Sequence, residues 1–232
     1  QPIHQTTSYV FSDTDTASSL FNLERGGHVY NRISNPTIGV LEQRVASLEG
    51  GSAAVCMASG MSAVFCALTA LVSQGDHIVA SANMYGGNIS LLKNTLPRFG
   101  ITATFVNPTD IKEIESAIQE NTKVVFGELI GNPGLSVMDL EAVSKVCKKK
   151  HVPLMIDGTF NTPYLCRCFD HGANIIVHSL TKWMGGHGTS IGGIVVDGGN
   201  FDWGFNDQFP TMTEPYAPFT DINFWEEFGP SA

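Results

Sequence analysis

A single lysine, Lys182, lies in the stretch 157–193, among residues suited to covalent chemistry. Ser179 and Thr181 stand just before it, and Gly185, Gly186 and Gly188 just after. An apolar segment, 173–177, delivers the chain to Ser179, and another, 152–156, ends at Asp157. An unprotonated lysine amine attacks a carbonyl, hydroxyls hold a phosphate, and a carboxylate keeps a ring nitrogen protonated. Those three services together fit pyridoxal phosphate. The plainer reading is that Ser-x-Thr-Lys recurs by chance and that lysines mostly sit on solvated faces. The flanks oppose it, because Trp183, Met184 and the glycines hem Lys182 behind a buried-type strand.

The elements that must position these groups alternate along the chain. Strand-like segments fall at 53–58, 77–80, 101–106, 123–129, 152–156, 173–177 and 191–196. Between them lie helical patterns at 37–48, 59–72, 90–99, 110–119 and 139–150, the third interrupted near Pro97. In the first, Val40, Leu41, Val45 and Leu48 are expected on one apolar face, with Pro36 at the start and Gly50-Gly51 as the stop. The last is acidic at its start and basic at its end, which suits the helix dipole. Such alternation predicts an α/β fold: a mainly parallel seven-stranded sheet with helices on both faces. Ligands bind such sheets at the carboxyl ends of the strands. Ser59, Glu128, Asp157 and Ser179 all fall at expected strand ends, which points to one shared site.

Two segments escape the alternation. Residues 1–35 read as an extended arm that lies on another surface, and 36–232 as the large domain. The tail from Phe201 is rich in Trp, Phe, Pro and Asp without a period. It reads as an irregular surface loop followed by the start of a helix. The chain begins at Gln1, so its true start is expected to be missing.

Composition excludes several classes. The chain has 232 residues, 43% hydrophobic and 15% charged, which reads as a globular domain with a sizeable core. A net charge of −9, with no basic block beyond Lys148 to Lys150, argues against nucleic acid. The most apolar run, 63–72, is too short to span a bilayer. Five cysteines, an odd number, suggest a reduced, cytoplasmic set. Cys166, Cys168 and His171 lack a second ligand pair at zinc spacing, so no metal is expected.

Taken together, VYNRISNPT, ASGMSA, NMYGGN, IGNPG, IDGTFNTPYLCR, HSLTK, GGHGTSIGGIVVDGG and FWEEFGPSA resemble the cystathionine/methionine-metabolism family of pyridoxal phosphate enzymes. The resemblance covers nearly the whole chain. It implies the aspartate-aminotransferase-like large domain, with a C-terminal small domain absent from this chain. It implies that Lys182 carries the cofactor covalently and later moves protons, that Asp157 pairs with the ring nitrogen, and that Asn132 contacts the ring's phenolic oxygen. Tyr85 would stack on the ring. Ser59, the Gly60 and Met61 amides, Ser179 and Thr181 would hold the phosphate, and Tyr30 and Arg32 would reach the phosphate of a neighbouring subunit.

Each role has a plainer counterpart: Ser59 as a helix cap, Asp157 as a turn cap, Asn132 as a turn residue, Tyr85 as a loop aromatic, Arg32 as a solvated cation. His178 and His187 read as structural. The implied activity is γ-substitution on O-acetylhomoserine by sulfide or methanethiol in a homo-oligomer, a tetramer built from dimers with shared sites. Cystathionine γ-synthesis, γ-lysis and a non-catalytic binding module are the alternatives. The sequence departs from the family at Gly158, where Asn is usual, and at Cys168, where Pro is usual. Methionine γ-lyases tend to carry a reactive cysteine two residues after the stacking tyrosine; Gly87 stands there and argues against the lyase.

Overall fold

The computed structural model describes residues 2–219 and 221–231. Gln1 of the expected arm, and Thr220 and Ala232 of the tail, lie outside them. Helix α1 (Thr14–Phe21) is followed by α2 (Pro36–Glu49), β1 (Ala53–Met57), α3 (Gly60–Leu71), β2 (His77–Ser81) and α4 (Gly86–Ser90). Then come β3 (Thr102–Val106), α5 (Ile111–Ala117), β4 (Thr122–Glu128), α6 (Leu140–Lys150), β5 (Leu154–Asp157), β6 (Ile175–Ser179) and β7 (Gly193–Asp197). The seven strands form one sheet in the order β1-β7-β6-β5-β4-β2-β3. All pairs are parallel except those of β7 with its two neighbours.

Local chemistry sets the helix ends. The Asn35 side chain accepts from the Thr37 and Ile38 amides, Pro36 opens α2, and Gly50 closes it at φ 76°. Asp139 caps α6, whose last turn carries three lysines.

The sheet divides two hydrophobic cores by strict alternation. Val79, Val125, Leu154, Ile156 and Ile176 face α2, α5 and α6. Ile78, Ala80, Val124, Phe126, Met155, Ile175 and Val177 face α3 and the segment after α4. Extending the period by one step sends Glu128, Asp157 and Ser179 toward α3, all at carboxyl strand ends, and His178 toward α2.

Four expectations need correction. Residues 1–35 are not extended throughout, because Asp13 caps α1 by accepting from the Thr16 amide. The 90–99 helix is interrupted near Pro97 as expected, but it is not α-helical: a π-helical turn at Leu91–Thr95 continues α4 and passes into a 3₁₀ turn at Leu96–Phe99 that contains Pro97. The four residues expected on one apolar face of α2 do not share one environment: Val45 is buried, while Val40, Leu41 and Leu48 are exposed. The tail is irregular, mostly exposed and reaches a short helix at Phe224–Phe228, but it is not only a surface loop. Trp203 and Phe209 are fully buried and meet edge to face, centroids 5.1 Å apart. Large aromatics can fill a core from irregular backbone, where no period announces them.

Candidate active site

The cleft at the carboxyl ends of β4, β5 and β6 has a volume of about 400 Å³. Lys182, Asp157, Tyr85 and Asn132 line it. So do the start of α3, at Ser59, Gly60 and Met61, and the two hydroxyl residues Ser179 and Thr181. Nine of the eleven residues singled out from the sequence therefore meet in one place. Tyr30 and Arg32 do not line it; the Arg32 guanidinium instead lies 5.5 Å from the centre of the Tyr30 ring.

The plainer roles and the chemical ones coexist. Ser59 caps α3: its hydroxyl accepts from the Ser62 amide at 3.1 Å, and the Ser62 hydroxyl accepts from the Ser59 amide at 2.8 Å. That box uses the third amide and leaves those of Gly60 and Met61 for an anion. A Cβ on Gly60 would stand 2.6 Å from Ser179 Cβ, so only glycine lets the helix start lie against the end of β6. Asp157 is a turn cap through Oδ1, which accepts from the Thr159 amide at 3.0 Å and hydroxyl at 2.5 Å. Its other oxygen faces the cleft side of α4 and accepts from Asn88 at 3.3 Å.

Lys182 sits in a tight turn after β6, where its amide donates to the Ser179 carbonyl and its carbonyl accepts from the Gly186 amide. Thr181 Oγ1 bonds both the amide and the carbonyl of Gly192, which ties this turn to the entry of β7. These groups fit pyridoxal phosphate: a bare helix start beside two hydroxyls for the phosphate, a carboxylate for the ring nitrogen, and a lysine for the aldehyde.

Three polar lining residues have no role in the sequence analysis: Glu128, which stands at a strand end, Asn88 and Thr159. Glu128 is held in place by its bond from the Tyr85 amide at 2.7 Å. Burial, and the Asp157 charge beside it, push its carboxyl up to about 7. The strand-end position was the available signal; the partner identities depend on register. All five cysteines are free thiols, burial pushes the Cys168 thiol up, and among the described residues no group of three or more metal-ligating side chains assembles. Among those residues, too, no helix is long and apolar enough to cross a membrane.

Fold and cleft define a class: the cofactor-holding domain of a pyridoxal phosphate enzyme built on a mainly parallel sheet. The chain belongs to the Cys/Met metabolism PLP-dependent enzyme family, whose model matches residues 1–219. It is 51% identical over 228 residues to O-acetyl-L-homoserine sulfhydrylase of Leptospira meyeri, covering 98% of this chain and 51% of that protein. It is 50% identical to homocysteine synthase of Schizosaccharomyces pombe, covering 98% and 54%. The chain thus spans about half the length of these curated relatives. A crystal structure described as an O-acetylhomoserine (thiol)-lyase of Campylobacter jejuni superposes with a TM-score of 0.93 at 38% identity, over 97% of this chain and 56% of that one. That structure carries N'-pyridoxyl-lysine-5'-monophosphate. Cystathionine gamma-lyase of Lactobacillus plantarum gives a TM-score of 0.78 at 34% identity, over 84% of this chain and 49% of that one.

Proposed function

We propose that this chain is the cofactor-holding part of an enzyme that replaces the acetate of O-acetyl-L-homoserine by sulfide or methanethiol, yielding homocysteine or methionine. The observation that carries this reading is the convergence of Lys182, Asp157, Ser59 and Ser179 on one cleft. The relatives' names supply the reaction. When bound, pyridoxal phosphate supplies an aldehyde for the substrate amine and a ring that accepts the electrons of a broken C–H bond.

The chain's own residues do the rest. Lys182 holds the cofactor and, once freed, takes and returns protons at the substrate carbons. Asp157 keeps the ring nitrogen protonated, Tyr85 lies against the ring and Asn132 meets its phenolic oxygen. Ser59, the Gly60 and Met61 amides, Ser179 and Thr181 hold the phosphate, with Tyr30 and Arg32 serving the neighbouring subunit's cofactor. Gly87 favours substitution over γ-lysis.

The same reading makes the protein a cytoplasmic homo-oligomer, a tetramer of dimers, with residues 1–35 as the arm that reaches the neighbour. The exposed stripe Ile38, Leu41 and Leu48 on α2, and Val10 on the arm, support a partner surface there. The arginine for the substrate's α-carboxylate is assigned to the part of the relatives' length that this chain does not span.

The test is the full chain purified with its cofactor. A near-visible absorbance band that disappears in Lys182→Ala, shifts on adding O-acetylhomoserine, and yields homocysteine with sulfide is expected. A protein that binds no pyridoxal phosphate under mild purification overturns the reading. An unchanged spectrum with O-acetylhomoserine favours a non-catalytic module, and preference for cysteine over sulfide favours cystathionine γ-synthesis.

A further inference from the structure

Glu128 and Asp157 are register partners at the ends of adjacent parallel strands, so two carboxylates stand side by side on the α3 face. Like charges so placed repel unless something between them donates to both. Asn88 does so. It is 1% exposed, and its Nδ2 donates to Glu128 Oε1 at 3.4 Å and to Asp157 Oδ2 at 3.3 Å. Its Oδ1 is buried and has no hydrogen-bond partner in the structure. Turning the amide over would aim that oxygen at both carboxylates, so the acids dictate its orientation.

Glu128, itself 7% exposed, also accepts from the Tyr85 amide at 2.7 Å. Tyr85 is the N-cap residue of α4 and makes no side-chain cap bond of its own, so the carboxylate fixes where this helix begins. On the far side, Asp157 Oδ1 is held by Thr159, whose hydroxyl accepts from the Ser179 amide at 2.9 Å. One hydrogen-bonded chain therefore runs from Tyr85 through Glu128, Asn88, Asp157 and Thr159 to Ser179, across the ends of β4, β5 and β6.

We propose that Glu128 is a positioning residue for the bound ring, setting Tyr85 directly through its amide and Asp157 through Asn88. This rests on the cofactor reading above and adds to it a cleft-lining acid that acts through the Tyr85 amide, Asn88 and Asp157. Tyr85 is half exposed and so not held rigidly by packing, and Asp157, anchored through Oδ1 by Thr159, has Asn88 as the donor to Oδ2. Removing Glu128 frees the Tyr85 amide and one hydrogen of Asn88 together. Stacking tyrosine and ring-pairing acid then lose their common reference.

The experiment uses the cofactor-loaded full chain with Glu128→Ala, Glu128→Gln and Asn88→Ala. The readouts are pyridoxal phosphate affinity by fluorescence titration, the circular dichroism that the bound cofactor shows in the visible, and thermal unfolding. Glu128→Ala and Asn88→Ala are expected to weaken cofactor binding about tenfold, the size of one lost hydrogen bond to a charged group. Both should also diminish the visible dichroism at saturating cofactor. Glu128→Gln keeps an acceptor for Tyr85 and should recover most of both.

A lowered unfolding temperature with unaltered affinity and dichroism would reduce Glu128 to a structural residue and overturn the proposal. If Glu128→Ala does not fold, Asn88→Ala decides by the same two readouts. A wild-type chain that binds no cofactor refutes the earlier reading instead, so the two failures are distinguishable.

Discussion

His178 Nε2 and Glu49 Oε1 meet at 2.5 Å in the interior, with neither side chain exposed to solvent. The pair ties the last residue of α2 to the residue just before Ser179, on the opposite face of the sheet from the cleft. Glu49 Oε2 and His178 Nδ1 have no hydrogen-bond partner of their own, so each residue depends on the other for its buried polar group.

Breaking that pair is expected to cost about 3–5 kcal/mol, because the remaining partner stays buried and unpaired. Glu49→Ala and His178→Ala, followed by denaturant unfolding, measure it. Double replacement by apolar residues of similar volume should cost less than either single change. A Glu49→Ala loss within 0.5 kcal/mol, the range typical of surface changes, would show that the pair contributes nothing.

Gly158 stands against the same histidine. A Cβ there would lie 2.6 Å from His178 Cε1, and the ring cannot retreat while Glu49 holds it. This accounts for glycine at position 158 in this chain. Gly158→Ala should cost about 1–3 kcal/mol by overpacking. In a double-mutant cycle with His178→Ala, most of that cost should vanish; full additivity would disprove the contact.

Gly87 constrains Tyr85, to which the proposed function gives the cofactor ring. A Cβ at 87 would stand 2.4 Å from Tyr85 Cε1 and 3.0 Å from Met61 Sδ. Tyr85 is half exposed, so it yields outward at little cost in stability. Gly87→Cys is therefore expected to change the cofactor's absorbance and affinity while altering unfolding by less than ~1 kcal/mol. Unchanged spectra would mean that the ring does not move.

Glu128 makes cofactor-free stability pH-dependent. Its carboxyl rises from 4.5 to about 7, driven by burial and then by Asp157; the Tyr85 amide, the Asn88 side chain and the Asn132 amide oppose the shift only partly. The folded state therefore holds a proton that the unfolded chain has released, and stability falls as pH rises through that window. Asp197, pushed up to about 6 by burial, slopes the same way. Glu128→Gln should remove up to ~3 kcal/mol of the fall between pH 4.5 and 7 and leave the Asp197 contribution. An identical slope in wild type and Glu128→Gln would contradict the assignment.

Shared sites between subunits have their own check. Arg32→Ala and Lys182→Ala chains, each inactive alone, should regain part of the activity when mixed and allowed to reassemble. No recovery on mixing would confine each site to one chain.

Much of this was open to reading from the chain alone, wherever the physics is local. Strand alternation sorts Val125 from Phe126 by face, Asn35-Pro36 and Ser59 announce helix starts, and Lys182 follows a strand with hydroxyls around it. The rest depends on residues brought together from afar. Asn88 meets Asp157 across 69 residues and Glu49 meets His178 across 129, through the relative register of strands and the packing of α2. Trp203 is buried from irregular backbone, and α2 buries Val45 while leaving Val40, Leu41 and Leu48 exposed. Propensity and periodicity act over a few residues. Which acid faces which amide is set by how separate elements dock, and no short segment encodes that.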